Sequence, residues 1–416
     1  MNHLKKGRDW TDKWLYWSLA GLGISCFSRI TPNGFEALFF WMVFGAAVVS
    51  LWVNRGHVIA AWSQCWRGLV CWLVLFALMV LTLLWSPIHP GLQILFEYRV
   101  PVVFACVTLA LVLVQPDCLG LLRIFWLAGA LGVASLFLSH LGIFDGPLEA
   151  LRPRGSYIIG GVVSSIFASI SLVLWMAHRN RKWSVVFLIG ALMASVEIIF
   201  FEQGDLGYLQ IMAVWLSWFL SHVRGWKDLI KATLACLAAV IIVVFVSEQM
   251  RVGLVLTWHE AWAWINGANQ ATSAGLRLQW VSWALEKGLE NPILGVGVGN
   301  YLSSIREAYE SGRLLFLTDN LHSEVANIFL MTGFLGLTLF LGQFAVLLLL
   351  SWRLKDPAIS FLTSSVSSIF ILHALVHSTF KDFGEKNVLI AMLPLVLMMI
   401  IQLRDNTPGN RLLRAG

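Results

Sequence analysis

Long apolar runs recur along the whole chain and set its architecture. Each covers about 17–25 residues, which is the length a helix needs to cross a hydrocarbon core of ~30 Å. The runs lack the alternation of membrane β-strands, and only helices or closed barrels satisfy the backbone in lipid. We therefore predict an all-α, polytopic integral membrane protein with about 12 transmembrane helices. The predicted spans are 14–30, 35–53, 67–86, 99–116, 121–142, 157–177, 183–201, 206–222, 232–248, 323–351, 358–376 and 387–403.

One long segment without an apolar run interrupts this pattern. It is amphipathic: a helical period over 276–292 ends at a helix-stopping Asn291-Pro292, a glycine-rich turn follows, and 301–312 has the pattern of a second short helix. The chain therefore divides into transmembrane helices 1–9 (residues 1–248), a loop with amphipathic helices (249–322), and transmembrane helices 10–12 with a tail (323–416).

Composition agrees with a membrane protein and limits the function classes. The 416 residues are 58% hydrophobic and 12% charged, about half the charge of a soluble domain. If the N-terminus is cytoplasmic, most lysines and arginines of the short loops face the cytoplasm, so we predict that both termini are cytoplasmic. The net charge of +6 then reflects topology, and we expect no nucleic-acid partner.

This orientation places many polar side chains on the outer side, near the ends of spans. Charges near membrane depth are expensive unless they are paired or face water, so their gathering on one side predicts an outward-facing site. Snorkelling alone explains Arg99, Lys381 and Lys386 equally well. The set is Glu97, Arg99, Arg152, Arg154, Glu202, Asp205, Arg277, Asp319, His322, Glu324, His377, Lys381 and Asp382.

Two of these residues are the best candidates for catalysis and substrate binding. His322 immediately precedes a span, and a neutral imidazole near pH 7 can take a proton from a hydroxyl. Asp319 or Glu324 could orient it. Arg277 opens an amphipathic helix of the long loop, and its guanidinium fork suits phosphate oxygens. A capping histidine and a solvated helix charge are the structural alternatives.

A second polar cluster lies at the end of the eleventh span. His373 and His377 are one helical turn apart and share a face, as metal-binding pairs do. No third ligand with suitable spacing is evident, and the six cysteines form no C-x-x-C motif. We therefore predict no metal site, and we interpret His377 as a supporting residue at a polar span end.

The histidine lies in a motif that resembles a family signature. His322, Ser323, Gly333 and Gly336 form H-S-x9-G-x-x-G, which looks like the pattern of the O-antigen ligase family. The stretch 273–301, with Arg277 and a Pro-x-x-Gly-x-Gly-x-Gly turn, resembles the family's arginine-bearing loop in sequence and in position. The length and the number of predicted spans also agree.

The resemblance implies a membrane glycosyltransferase of GT-C-like architecture. Such enzymes move a glycan from undecaprenyl diphosphate to a hydroxyl at the periplasmic face of the bacterial inner membrane, with inversion and without metal or cofactor. In ligases the acceptor is a sugar of lipid A–core, in lipopolysaccharide biosynthesis. By this resemblance His322 is the general base, and Arg277 binds the diphosphate.

The chain departs from the family at one position. Related enzymes carry an arginine after the seventh span, where this chain has Asp205 in FEQGDLGYLQ, and a carboxylate there repels a diphosphate. Three explanations stay open. Arg152 or Arg154 supplies the missing charge, the substrate differs, or the protein is impaired.

The resemblance also leaves the acceptor open. An O-antigen or capsule polymerase and a protein O-oligosaccharyltransferase share the fold and the histidine-containing loop. A transporter without covalent chemistry is the alternative from another class. It is disfavoured because no charge clearly occupies the middle of a span and no matched broken helices are evident.

Overall fold

The computed structural model describes residues 2–28, 35–140, 142, 157–201, 205–223, 225–268, 271–381 and 383–405. These residues form α-helices joined by short turns, without a strand among them, which confirms the all-α prediction. The helices are α1 (Asn2–Ser28), α2 (Phe35–Val53), α3 (Val58–Leu81), α4 (Ile88–Glu97), α5 (Val100–Val114), α6 (Cys118–His140), α7 (Tyr157–His178), α8 (Val185–Phe200), α9 (Asp205–Ser221), α10 (Trp226–Val246), α11 (Glu248–Ile265), α12 (Ser273–Gly288), α13 (Tyr301–Glu310), α14 (Glu324–Arg353), α15 (Pro357–Val376) and α16 (Phe383–Asp405).

The helices identify a polytopic membrane protein. Within the described residues, 8 helical segments are long and apolar enough to cross a membrane. The number rises to 9 if the bent pair α4 and α5 is counted as one span. Each predicted span overlaps a helix, but the predicted number of twelve is not confirmed. The spans assigned to α1, α9 and α10 are not among those 8 or 9 segments, and α9 is a shorter apolar helix.

The last helix occupies the interior of the bundle. In its apolar stretch 89% of the residues are buried, against 28% for α2 and 39% for α8. It packs against α5, α1 and α15. Large apolar side chains on the outer helices are exposed, for example Trp52 of α2 and Leu81 of α3, as expected where helices face lipid.

Three helices fold the long loop. The predicted helices 276–292 and 301–312 are confirmed as α12 and α13, although α12 already ends at Gly288. The third helix, α11, was not predicted from the sequence, and its first turn is capped by the Ser247 hydroxyl. The amide of Ala274 donates to Glu260 Oε2 at 2.9 Å, which joins α11 to α12.

The glycine turn after α12 docks on a break in α14. The helix is interrupted at Gly333, whose φ is 64°. There the amide of Val296 donates to Leu330 O at 2.9 Å, and the amide of Phe334 donates to Pro292 O at 2.7 Å. A Cβ on Gly333 would lie 2.4 Å from the carbonyl carbon of Ile293. This backbone-to-backbone contact explains why both motifs carry glycines.

The same turn is also fixed to the end of α3. The amide of Val298 donates to Thr82 Oγ1 at 3.0 Å, and the amide of Gly299 donates to Ser86 Oγ at 3.1 Å. The turn therefore lies between two spans, and it sets where α12 and α13 stand relative to the bundle.

We expect Gly333→Ala to destabilise the protein. The substitution places a side chain in the left-handed region and against the Ile293 backbone, so the free energy of unfolding should fall by about 1–3 kcal/mol. Thermal unfolding in detergent, followed by tryptophan fluorescence, measures the change.

Gly342→Ala is the matched control in the same helix. Its Cβ would meet only Cys71 Sγ, at an ordinary 3.6 Å. Because alanine favours the helix, this variant should be as stable as the parent or slightly more stable. Equal melting temperatures for the two variants would contradict the docking account.

Candidate functional site

His322 lies in the segment 311–323 between α13 and α14, two residues before α14. Its side chain is partly buried, and its φ is 48°, which is uncommon for a residue other than glycine. The backbone amide of His322 donates to Asn320 Oδ1 at 3.0 Å. This conformation therefore depends on what holds the Asn320 side chain.

A buried hydrogen-bond network holds the loop. The Asn327 amide group donates to Asn320 Oδ1 at 3.2 Å and to Ser378 Oγ at 3.0 Å. Its carbonyl oxygen accepts from the Tyr301 hydroxyl at 2.6 Å and from the amide of Leu321 at 3.3 Å. Asn327 thus uses both its donors and its acceptor to join α13, α14 and the segment after α15.

Burial also fixes the role of Tyr301 in this network. It raises the pKa of the Tyr301 phenol well above its ordinary value, and the Glu324 carboxylate adds to the effect. The phenol therefore keeps its proton and donates to Asn327.

Two rings pack against the His322 imidazole. The ring of Trp280 stacks on it, with centroids 5.1 Å apart and an interplanar angle of 27°. The ring of His377 meets it edge to face, with centroids 5.6 Å apart. His377, predicted as a supporting residue, thus lies beside His322. Its pKa is lowered to about 4, chiefly by burial.

The two carboxylates next to His322 in sequence make other contacts. Glu324 is fully buried, and its Oε2 accepts from the amide of Phe380 at 2.9 Å. Asp319 pairs with Lys381, with 3.1 Å between Oδ2 and Nζ. Among the described residues, neither carboxylate hydrogen-bonds to the imidazole. In this structure the rings of Trp280 and His377 pack against His322, and orientation by Asp319 or Glu324 stays a prediction.

The other cations predicted to snorkel have partners. Lys381 also approaches Glu97, with 3.6 Å between Nζ and Oε2, and the ammonium of Lys386 donates to the Lys381 carbonyl at 3.1 Å. The Arg99 guanidinium lies over aromatic rings, 4.3 Å from the ring centroid of Phe96. Each of these cations therefore contacts an anion, a carbonyl oxygen or an aromatic ring of the protein itself.

Arg277 differs from these cations. It lies on α12, three residues before Trp280 and so on the same face of the helix. Its guanidinium makes no hydrogen bond or ion pair within the part of the chain that the structure describes, and its charge acts on His322. A partly buried, unpaired guanidinium beside an imidazole can bind an anion.

The surroundings keep the His322 imidazole neutral. Burial lowers the pKa of His322 below its ordinary value, and the positive charge of Arg277 lowers it further, while Asp319 opposes both. The neutral ring carries a lone pair at pH 7 and can accept a proton from a hydroxyl. A base beside an anion site suits a group-transfer reaction in which the base deprotonates an acceptor hydroxyl and the anion site binds the phosphate of the donor.

Some predicted site residues lie outside the described part of the chain. Arg152, Arg154, Glu202 and Asp382 are among them, and of Asp205 only the backbone at the start of α9 is described. Their predicted roles stay predictions.

Sequence reasoning missed most residues that hold the site together. These are Trp280, Tyr301, Asn320, Asn327 and Ser378. One signal was available, because Asn327 is one of two side-chain amides inside an apolar run, where polar residues are rare and usually have partners. The partners themselves are distant in sequence.

The fold and the site define a polytopic membrane protein with a histidine–arginine site beside the start of a transmembrane helix. Residues 191–341 match the family model described as O-antigen ligase. This region contains Arg277, the glycine turn, His322 and Gly333, so the match supports the resemblance to the O-antigen ligase family that the sequence motifs indicated. A search of curated proteins found no match. The family match supports a glycosyltransferase-like activity on lipid-linked glycans.

We expect charge variants around His322 to move its pKa in opposite directions. Removing the positive charge in Arg277→Gln should raise the pKa of His322, and removing the negative charge in Asp319→Asn should lower it. The pH dependence of His322 modification by diethyl pyrocarbonate, located by mass spectrometry, measures both shifts.

His259 provides an internal reference in the same protein, because it is exposed on α11. Its modification profile should be the same in all three proteins. Shifts of the same sign in both variants would contradict the electrostatic account of His322.

Proposed function

We propose that the protein is an O-antigen ligase of lipopolysaccharide biosynthesis. It transfers a glycan from undecaprenyl diphosphate to a sugar hydroxyl of lipid A–core, at the periplasmic face of the bacterial inner membrane. The observation that carries the proposal is that Arg277, a partly buried guanidinium without an ion pair among the described residues, lies close enough to His322 for its charge to lower the pKa of the imidazole. Both residues lie within the region matched by the family model.

The reaction assigns one task to each residue. His322 takes the proton of the acceptor hydroxyl as its oxygen attacks the anomeric carbon and the bond to the diphosphate breaks. Undecaprenyl diphosphate leaves with the bonding electron pair, and Arg277 stabilises the charge that builds on it. Attack opposite the leaving group inverts the anomeric carbon. The donor is already activated, so the mechanism uses no metal or nucleotide.

The membrane-embedded surface supports a polyprenyl donor. A cavity of about 490 Å³ is lined by residues of α8, α9, α10, α11 and α15. Its lining is almost wholly apolar and includes Tyr208, Trp215, Phe219, Val243 and Leu372. Such a cavity suits an isoprenoid or another lipid chain. One lining residue, Leu372, directly precedes His373 at the end of α15, the helix that is followed by His377.

The proposal predicts that His322→Ala abolishes transfer. Purified protein is incubated with undecaprenyl-diphosphate-linked glycan, with and without lipid A–core. Loss of the general base should lower the rate by about 10²–10⁴-fold. The control is His259→Ala, which removes an exposed histidine of α11 and should leave the rate unchanged.

The products separate the related activities. Glycan attached to lipid A–core establishes a ligase. Chain extension without lipid A–core means a polymerase, and transfer only to an added acceptor protein means a protein O-oligosaccharyltransferase. Full activity of His322→Ala would contradict the role of His322 under every acceptor.

A second prediction addresses Asp205. If Arg152 or Arg154 replaces the expected charge, the matching alanine variant should be impaired. Arg154→Ala should lower transfer by about 10²-fold or more, because a hydrogen-bond donor to the diphosphate is lost. Arg152→Ala tests the neighbouring candidate in the same way.

Arg313→Ala is the matched control for these arginine variants. Arg313 is exposed in the loop after α13 and pairs only weakly with Glu286, at 3.5 Å. The Arg313→Ala protein should transfer glycan at the same rate as the parent. Near-normal turnover by both Arg152→Ala and Arg154→Ala would rule out this explanation of Asp205.

A further inference from the structure

Three titratable side chains outside the proposed catalytic pair converge at the junction of α15 and α16. They are His373 in the last turn of α15, His377 directly after that helix, and Glu385 in the first turn of α16. All three are buried, with side-chain exposures of 0%, 11% and 2%. The sequence showed only the two histidines, because Glu385 joins them through the packing of α16.

The distances between these side chains fit binding of a common metal ion better than they fit hydrogen bonds. His373 Nε2 and His377 Nδ1 each lie 3.6 Å from Glu385 Oε1, which is beyond hydrogen-bond length. The three candidate ligand atoms lie within 4.8 Å of one another. Ligands of a tetrahedral ion with bonds of ~2.0–2.2 Å are about 3.3–3.6 Å apart. Small side-chain adjustments would therefore place one ion among all three.

Burial makes this cluster costly without a cation. Neither ring nitrogen of His373 has a hydrogen-bond partner among the described residues, and the second oxygen of Glu385 has none either. A buried carboxylate and a buried imidazole without a hydrogen bond are both unfavourable in an apolar setting, and the 3.6 Å between His373 Nε2 and Glu385 Oε1 is long for an ion pair. A divalent ion would satisfy the carboxylate and one nitrogen of each histidine.

We propose that His373, His377 and Glu385 bind a divalent transition-metal ion of the zinc class. Two imidazoles and one carboxylate suit zinc and its neighbours, whereas magnesium and calcium prefer oxygen ligands. The ion would clamp the end of α15 to the start of α16 and fix His377, whose ring packs against His322. This inference is independent of the proposed transfer reaction, and it replaces the expectation of no metal site.

Metal content of the full-length protein tests the site. The protein is purified in detergent, its affinity tag is removed, it is dialysed against Zn²⁺ and then against buffer, and metal is measured by mass spectrometry. We expect about one zinc per chain. Glu385→Gln and His373→Ala should each weaken binding at least ~10-fold. Glu310→Gln and His259→Ala, which change exposed residues, should keep the ion.

A spectrum of the unaltered protein covers the case in which these variants do not fold. Co²⁺ added to the metal-free protein should give the visible absorption of a four-coordinate ion, and Zn²⁺ should displace it. Binding should also raise the melting temperature. Less than about a tenth of an equivalent of zinc, with no Co²⁺ spectrum, would overturn the proposal. Zinc retained in full by both Glu385→Gln and His373→Ala would do the same.

Discussion

The site depends on a contact between two backbones, where the glycine turn after α12 docks on the break in α14. Four main-chain hydrogen bonds link residues 292–297 to residues 330–335, and no side chain could fit between them. Because α12 ends just before this turn, the contact sets the position of Arg277 and Trp280. Because α14 begins just before the break, it also sets the position of His322. Two glycine motifs that are distant in sequence thus form one structural unit.

A second layer of polar contacts converts this frame into a defined site. Asn327 ties Asn320 to Tyr301 and Ser378, and Asn320 in turn holds the left-handed backbone of His322. The network is buried, so a polar group that lost its hydrogen bond would destabilise the protein. Few other conformations are therefore open to the loop that contains His322. The imidazole can then lie between two rings with its pKa lowered. Stability and reactivity therefore rest on the same few side chains.

The sequence predicted what depends on local pattern. Apolar runs gave the helical membrane architecture, the amphipathic period gave α12 and α13, and His322 and Arg277 stood out by their chemistry. It could not predict contacts between distant segments. Asn327 meets Ser378 across 51 residues, and Glu385 reaches the His373–His377 pair only because α16 packs on α15. The number of spans was also uncertain from pattern alone, since short or charged helices such as α9 and α10 give weak signals.

The proposed mechanism requires that the donor diphosphate bind between Arg277 and His322. An electron cryomicroscopy structure of the His322→Ala protein with undecaprenyl-diphosphate-linked glycan tests this directly, because the inactive variant cannot consume its donor. We expect a diphosphate in contact with the Arg277 guanidinium, with the anomeric carbon facing position 322 and the polyprenyl chain running between spans. A diphosphate bound at another face of the bundle, away from Arg277, would contradict this mechanism.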